Sequence, residues 1–346
     1  MKINKKPFKN LKNKINSSLK ALRDKPDNKF FSDEVLEEKI LNSKHSLRVN
    51  NVTKIFNNFV AVKNASFTVS KGVIHGFLGP NGSGKTTIIK SIITAINLSF
   101  GTIDLFGVDH SSVNAKKTIG YIPESARFPK NTSCYEYLVV MGVLSGKKVE
   151  EAKKIATDIL KQLDLLKFKK KSPLNFSSGM QKKILLAQAL INDPKFLILD
   201  EPAENLDPST RKFLYDELVK LKEQGKTIFI SSHVLAELND IVDEITIIKY
   251  GEILFTGPVN SVIGIETNAY SLFTSDINKT IKLLQNKNYL FHVEEEEIIV
   301  KILNEHQKYI LQEQLLKNNI VIEKFVHYRK NLQFFYNEVL EKKDFR

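Results

Sequence analysis

The chain has 346 residues, 42% hydrophobic and 26% charged, which suffices for a large buried core plus a smaller domain and excludes a wholly disordered or fibrous chain. The single cysteine, Cys134, excludes an internal disulfide and a cysteine-built zinc site; it reads as a small core hydrophobe in a reducing compartment. No apolar run reaches the ~18 residues that would cross a bilayer, while the net charge of +13 leaves nucleic acid and anionic membrane surfaces as candidate partners.

The charge is concentrated at the start. Residues 1–30 hold ten Lys or Arg against Asp24 and Asp27, a local +8. No apolar segment follows Met1-Lys2-Ile3-Asn4-Lys5-Lys6, so no secretory leader is expected. Residues 1–45 read as a basic, largely disordered extension, either solvated or touching anionic lipid, with a short amphipathic helix predicted at 35–41. From Ser46 the texture becomes strand-like, with Leu47, Val49 and Val52, then Ala65 to Val69. Apolar runs at 73–78, 196–199 and 227–230 read as buried strands alternating with helices, the pattern of an α/β sheet covered on both faces. Residues 130–192 read as almost entirely helical, most clearly 150–166. From 263 to 346 the rhythm changes. Strands are predicted at 269–273 and 320–326, a hairpin from 289–293 and 298–302, and helices at 277–284, 307–316 and 332–340, together a small α+β domain.

The strongest chemical signal is Gly79-Pro80-Asn81-Gly82-Ser83-Gly84-Lys85-Thr86-Thr87, which fits G-x-x-x-x-G-K-[ST] between a strand and a helix. Glycines let the backbone wrap a polyphosphate, successive N–H groups point inward, and the helix adds its positive end. Lys85 is expected to reach the β- and γ-phosphates and Thr86 to ligate Mg²⁺. The run Phe196-Leu197-Ile198-Leu199-Asp200-Glu201 ends a buried strand in two carboxylates. Asp200 is placed to hold Mg²⁺ and Glu201 to polarise the attacking water as a general base.

These two motifs do not set a chain apart from kinases, helicases or GTPases. Asn175-Phe176-Ser177-Ser178-Gly179-Met180-Gln181 does: it resembles the L-S-G-G-Q/M signature of ATP-binding cassette (ABC) proteins. Ser177 and Gly179 keep the family pattern; Phe176 replaces Leu and Ser178 replaces the first Gly. The resemblance extends to Ser231-Ser232-His233, where His233 matches the family's switch histidine, and to Glu204-Asn205-Leu206-Asp207-Pro208, where Asp207 matches a residue that crosses the cassette dimer and Asn205 replaces Gly. Phe56 matches the aromatic that stacks on adenine. Glu124, after Ile119-Gly120-Tyr121-Ile122-Pro123, stands where most of the family has Gln and is a candidate Mg²⁺ ligand that lacks the amide donor.

The resemblance covers residues 47–260 and implies an α/β P-loop NTPase cassette over 46–262, with a helical insert at about 125–192. It further implies ATP and Mg²⁺ as cofactors, and a composite site. One chain supplies Gly79, Asn81, Gly82, Ser83, Gly84, Lys85, Thr86, Thr87, Asp200, Glu201 and His233; a second cassette supplies Ser177, Gly179 and Asp207. An integral membrane permease is the implied partner, with the chain peripheral on the cytoplasmic face. Lys330-Asn331-Leu332-Gln333-Phe334-Phe335 loosely matches the closing motif of exporter-type cassettes. A soluble switch acting on ribosome or nucleic acid is the alternative, disfavoured by a single P-loop and no zinc-type cysteines. A cassette that binds without turnover also stays open, on Glu124 and Ser178.

Overall fold

The computed structural model describes residues 33–125, 127–235, 238–294, 297–330 and 332–341. The lipid contact anticipated for the basic start therefore falls, for residues 1–32, outside the described residues. The chain divides into two compact units after Gly257.

Among the described residues, the first unit begins with α1 (Asp33–Asn42), a helix inside the segment read as extension. Leu36 buries against the core. Lys71 Nζ donates to the carbonyls of Ile40 (2.6 Å) and Leu41 (3.1 Å), putting a cation where the helix end is negative. Strands β1 (His45–Phe56) and β2 (Phe59–Ser70) form an antiparallel hairpin paired from His45–Ser70 to Phe56–Phe59, with register shifts between His45 and Leu47 and between Val49 and Ile55. After β3 (Ile74–Leu78), β4 (Phe100–Leu105) and β5 (Val108–Asp109) complete a four-stranded sheet in the order β2-β1-β4-β5.

The second sheet carries β6 (Ile119–Ile122), β7 (Phe196–Leu199), β8 (Thr227–Ser232), β9 (Glu244–Lys249) and β10 (Glu252–Pro258), in the order β10-β9-β3-β8-β7-β6. All four side chains of β7 are fully buried, each worth roughly 1.5–3 kcal/mol of apolar burial. Parallel register aligns Ile122 with Leu199, Leu199 with Ile230, and Leu78 with Ser232. Four chain segments thus leave the sheet at one edge, where ligands of open parallel sheets bind. Phe67, Phe77 and Phe229 stack between the sheets, with centroids 5.1–6.0 Å apart.

Helix α2 (Lys85–Ile92) follows β3 and buries Ile88, Ile89 and Ile92. A short α3 (Val113–Lys117) precedes β6. The insert holds α4 (Cys134–Leu144), α5 (Val149–Gln162) and α6 (Ser178–Leu190). It is less helical than expected: Gly146 (φ +96°) and Asp164 (φ +58°) turn the chain out of α4 and α5, and only single 3-10 turns at Leu166–Phe168 and Pro173–Asn175 precede α6. Cys134 is fully buried, and burial raises its thiol pKa. Helix α7 (Pro208–Glu223) packs before β8.

The second unit runs from Pro258 rather than from 263 as anticipated, because β10 closes the first. Its elements are β11 (Gly264–Thr274), α8 (Ile277–Asn286), β12 (Phe291–Glu294), β13 (Glu297–Lys301), α9 (Glu305–Lys317), β14 (Ile322–Lys330) and α10 (Leu332–Glu341). The order β12-β13-β11-β14 is a split βαβ arrangement. Tyr270, Leu272, Ile298 and Val300 pack on Leu284, Leu311 and Leu315, while Ala269, Ile299 and Tyr328 pack with Phe334 on the other face.

Candidate functional site

The loop between β3 and α2 wraps closely on neighbouring backbone. A Cβ at Gly79 would fall 2.2 Å from the Ile248 carbonyl oxygen, so no larger residue fits. Asn81, Gly82, Gly84, Lys85, Thr86 and Thr87 line a cavity of about 410 Å³ together with Phe59, Ala61, Glu124, Glu201, Glu204 and His233. Ser83 faces inward instead: its hydroxyl is buried without a hydrogen-bond partner, while its backbone N–H donates to the Pro80 carbonyl (3.2 Å) and its carbonyl accepts from Gly251 (2.9 Å).

Lys85 is buried, and its Nζ donates to the carbonyls of Gly79 (2.7 Å) and Pro80 (3.3 Å). The same Nζ lies 3.1 Å from Glu201 Oε1. The pair is close in charge but off the hydrogen-bonding direction, so Oε1 is a buried acceptor without a hydrogen bond. Glu201 Oε2 meets His233 Nδ1 at 3.0 Å. Glu201 also has φ +44°, a left-handed conformation that a non-glycine residue holds only under local constraint.

Ser231 supplies that constraint. Its hydroxyl accepts from the Glu201 backbone N–H (2.9 Å) and donates to Asp200 Oδ1 (2.9 Å), so one buried side chain from β8 fixes the Asp200 carboxylate and the Glu201 backbone after β7. Thr86 Oγ1 lies 3.3 Å from Asp200 Oδ1. Burial raises the Asp200 pKa, against the pull of the Ser231 and Thr86 hydrogen bonds. Burial also lifts the Tyr121 phenol, next to Asp200 and Glu124, to about 12. Thr86 and Glu124 line the cavity and Asp200 lies buried against Thr86, oxygen donors of the kind that suit a hard divalent cation such as Mg²⁺. A cavity with a lysine, a helix N-terminus and an unbonded buried carboxylate oxygen suits a polyphosphate whose charge would take Lys85.

Three expected residues sit elsewhere in the fold. Ser177 caps α6, accepting from Met180 N–H. Asp207 caps α7, accepting from the Thr210 backbone (3.0 Å) and hydroxyl (2.6 Å) and from the Ser209 hydroxyl, which together lower its pKa. Gly179 packs on that cap, since a Cβ there would meet Thr210 Cγ2 at 2.5 Å. None of the three lines the 410 Å³ cavity. Ser178 Oγ donates to the Asn205 carbonyl (3.4 Å), so two of the three substituted positions of the signature and the following loop touch. Asn205 has φ +59°, a conformation Asn tolerates better than most residues, which explains why it can replace Gly.

Phe56 is 43% exposed and lies under Lys54, 4.7 Å from ring to Nζ, while its hairpin partner Phe59 lines the cavity. Sequence reasoning missed Phe59, Glu204 and Ser231. Phe59 and Ser231 lay in quoted or adjacent segments, but their roles depend on cross-strand register.

A family model described as ABC transporter matches residues 62–204. An ABC transporter ATP-binding protein of Mycoplasma pneumoniae is 43% identical over 204 residues, 58% of this chain and 62% of its own length, so the match spans under two thirds of that relative. Nod factor export ATP-binding protein I of Burkholderia lata is 33% identical over 218 residues, 62% of this chain and 72% of that protein. A solved ATP-binding subunit of an ABC transporter superposes with a TM-score of 0.58 at 25% identity, over 62% of this chain and 91% of that one. The loop, the carboxylate pair and His233 at one end of the parallel strands agree with these likenesses, and the chain belongs to the ABC transporter ATP-binding protein family.

Proposed function

We propose that this chain binds and hydrolyses ATP as a cassette dimer and powers substrate movement through a separate membrane permease. The observation that carries the reading is the Lys85–Glu201–His233 cluster, with both glutamate oxygens within 3.1 Å of a cationic or imidazole nitrogen. A γ-phosphate competes for Lys85 and frees Glu201 Oε1 for the attacking water. His233 holds Oε2 and keeps the carboxylate oriented. Thr86 and Asp200 would hold Mg²⁺, with Glu124 as a further candidate ligand from the cavity lining. When bound, Mg²⁺ neutralises charge on the β- and γ-phosphates. Ser177 and Gly179, at the capped start of α6, present a hydroxyl, backbone N–H groups and a helix N-terminus to the nucleotide of a partner cassette. Asp207 crosses the same interface, and one of Phe56 and Phe59 stacks on adenine.

The relatives' names support transport, and the Burkholderia protein's name supports export. A cytoplasmic position on the inner membrane face follows from this reading, with the +8 start suited to anionic lipid. The test is steady-state turnover of the purified chain with ATP and Mg²⁺. Glu201→Gln is expected to lower kcat by about 100-fold or more while leaving ATP affinity nearly unchanged. Turnover by that variant at the wild-type rate would remove Glu201 from the base role.

A further inference from the structure

Lys182 is a buried lysine that the proposed chemistry does not use. It lies in the second turn of α6, the helix capped by Ser177, and is 8% exposed. Its Nζ donates to the carbonyl oxygens of Pro123 (3.3 Å) and Glu124. These are the first two residues after β6, and the Glu124 side chain faces the cavity. A buried ammonium that satisfies two backbone carbonyls is costly to move, because each donor or acceptor left unpaired pays a desolvation cost. Burial lowers the Lys182 pKa, and the nearby charges of Glu124, Glu204, Asp200 and Glu201 oppose that shift.

We infer that Lys182 is a positioning residue that ties the Glu124 backbone to α6, so that an Mg²⁺–ATP contact at Glu124 sets the orientation of the Ser177–Gly179 end of the same helix. The helix is a rigid rod, and its first turn carries the residues proposed to meet the partner's nucleotide. Fixing one side of it to the chain leaving β6 links the two halves of the composite site within a single cassette. Glu124 in place of Gln makes this link more important. The side chain has lost a donor, so its placement depends more on where the backbone is held.

This inference rests on the ATPase reading above. The experiment measures ATPase activity of the full chain against ATP and against Mg²⁺ for wild type, Lys182→Met, Lys182→Arg and Glu124→Ala. It adds the double variant Lys182→Met/Glu124→Ala. K182M is expected to lower kcat about tenfold with KM for ATP within about threefold, and to raise the Mg²⁺ needed for half-maximal activity. K182R, which keeps a buried cation and donors, is expected to recover most of kcat. In the Glu124→Ala background, K182M is expected to cost less than about twofold, the non-additivity of residues acting through one another. An equal loss in both backgrounds, or failure of K182R to recover activity, overturns the inference. If K182M does not fold, Lys182→Gln takes its place in the same comparisons. A wild type without Mg²⁺-dependent turnover sinks the functional reading and the inference together. An active wild type with additive variants sinks only the coupling.

Discussion

Ser231 holds two groups at once, the Glu201 N–H and Asp200 Oδ1, from a fully buried position. Replacing it with Ala strands a buried donor, which costs about 1–3 kcal/mol, and frees the Asp200 carboxylate and the Glu201 backbone. Ser231→Ala is expected to lower kcat more than it raises KM, read by steady-state kinetics beside a thermal melt. A variant with unchanged kcat would mean that the β7–β8 register alone orients Glu201. Gly179 offers a separate check. An added Cβ there overlaps Thr210 by the distances above, so Gly179→Ala is expected to destabilise by about 1–3 kcal/mol in urea unfolding. Thr210→Ser, which removes the Cγ2, should recover part of that loss. Full stability of the alanine variant would mean that the α6–α7 junction yields, leaving Gly179 needed only for what it meets outside its own chain.

At the scale of elements, His75 ties strands together through the core. Its Nδ1 faces Glu244 Oε2 at 3.2 Å and its Nε2 faces the Thr246 hydroxyl at 2.8 Å, which in turn meets Thr256. With His75 neutral, Nδ1–H donates to Glu244 and Nε2 accepts from Thr246. Burial lowers the His75 pKa from 6.5. For Glu244, burial pushes upward, but hydrogen bonds from His75 and Ser70 prevail and leave it at about 2. Both folded pKa values lie below their unfolded values. Their stabilisation is therefore complete above the unfolded pKa and is lost as pH falls, through the region below 6.5 for His75 and between 4.5 and about 2 for Glu244. The urea midpoint is expected to drop between pH 7.5 and 5.5 in wild type and to drop less in His75→Gln; parallel slopes would remove His75 from this role. Elements of this kind were only partly legible. The apolar runs of β3, β7 and β8 announced themselves, because strands buried on both faces carry no alternation. The small domain's strand and helix order was equally readable from its periodicity. The breaks inside the insert were not, because helix-compatible residues flank the single left-handed turns at Gly146 and Asp164. Phe59, Ser231 and Lys182 were invisible as site residues because their partners lie across the fold, and local pattern carries no register.

At the scale of the whole molecule, the P-loop cavity and the signature residues do not meet within one chain. Lys85, Thr86, Glu124, Glu201 and His233 line one cavity, and Ser177 and Gly179 are absent from its lining. On the proposed reading, a single cassette would hold a nucleotide with one side open, and a second copy or a related chain would close it. The direct measurement is the solution mass of Glu201→Gln by light scattering, with and without ATP and Mg²⁺. A mass near twice that of one chain with ATP, and of one chain without it or with Lys85→Ala added, is the expected result. A mass of one chain at saturating ATP, with binding shown in the same sample, would contradict the composite site.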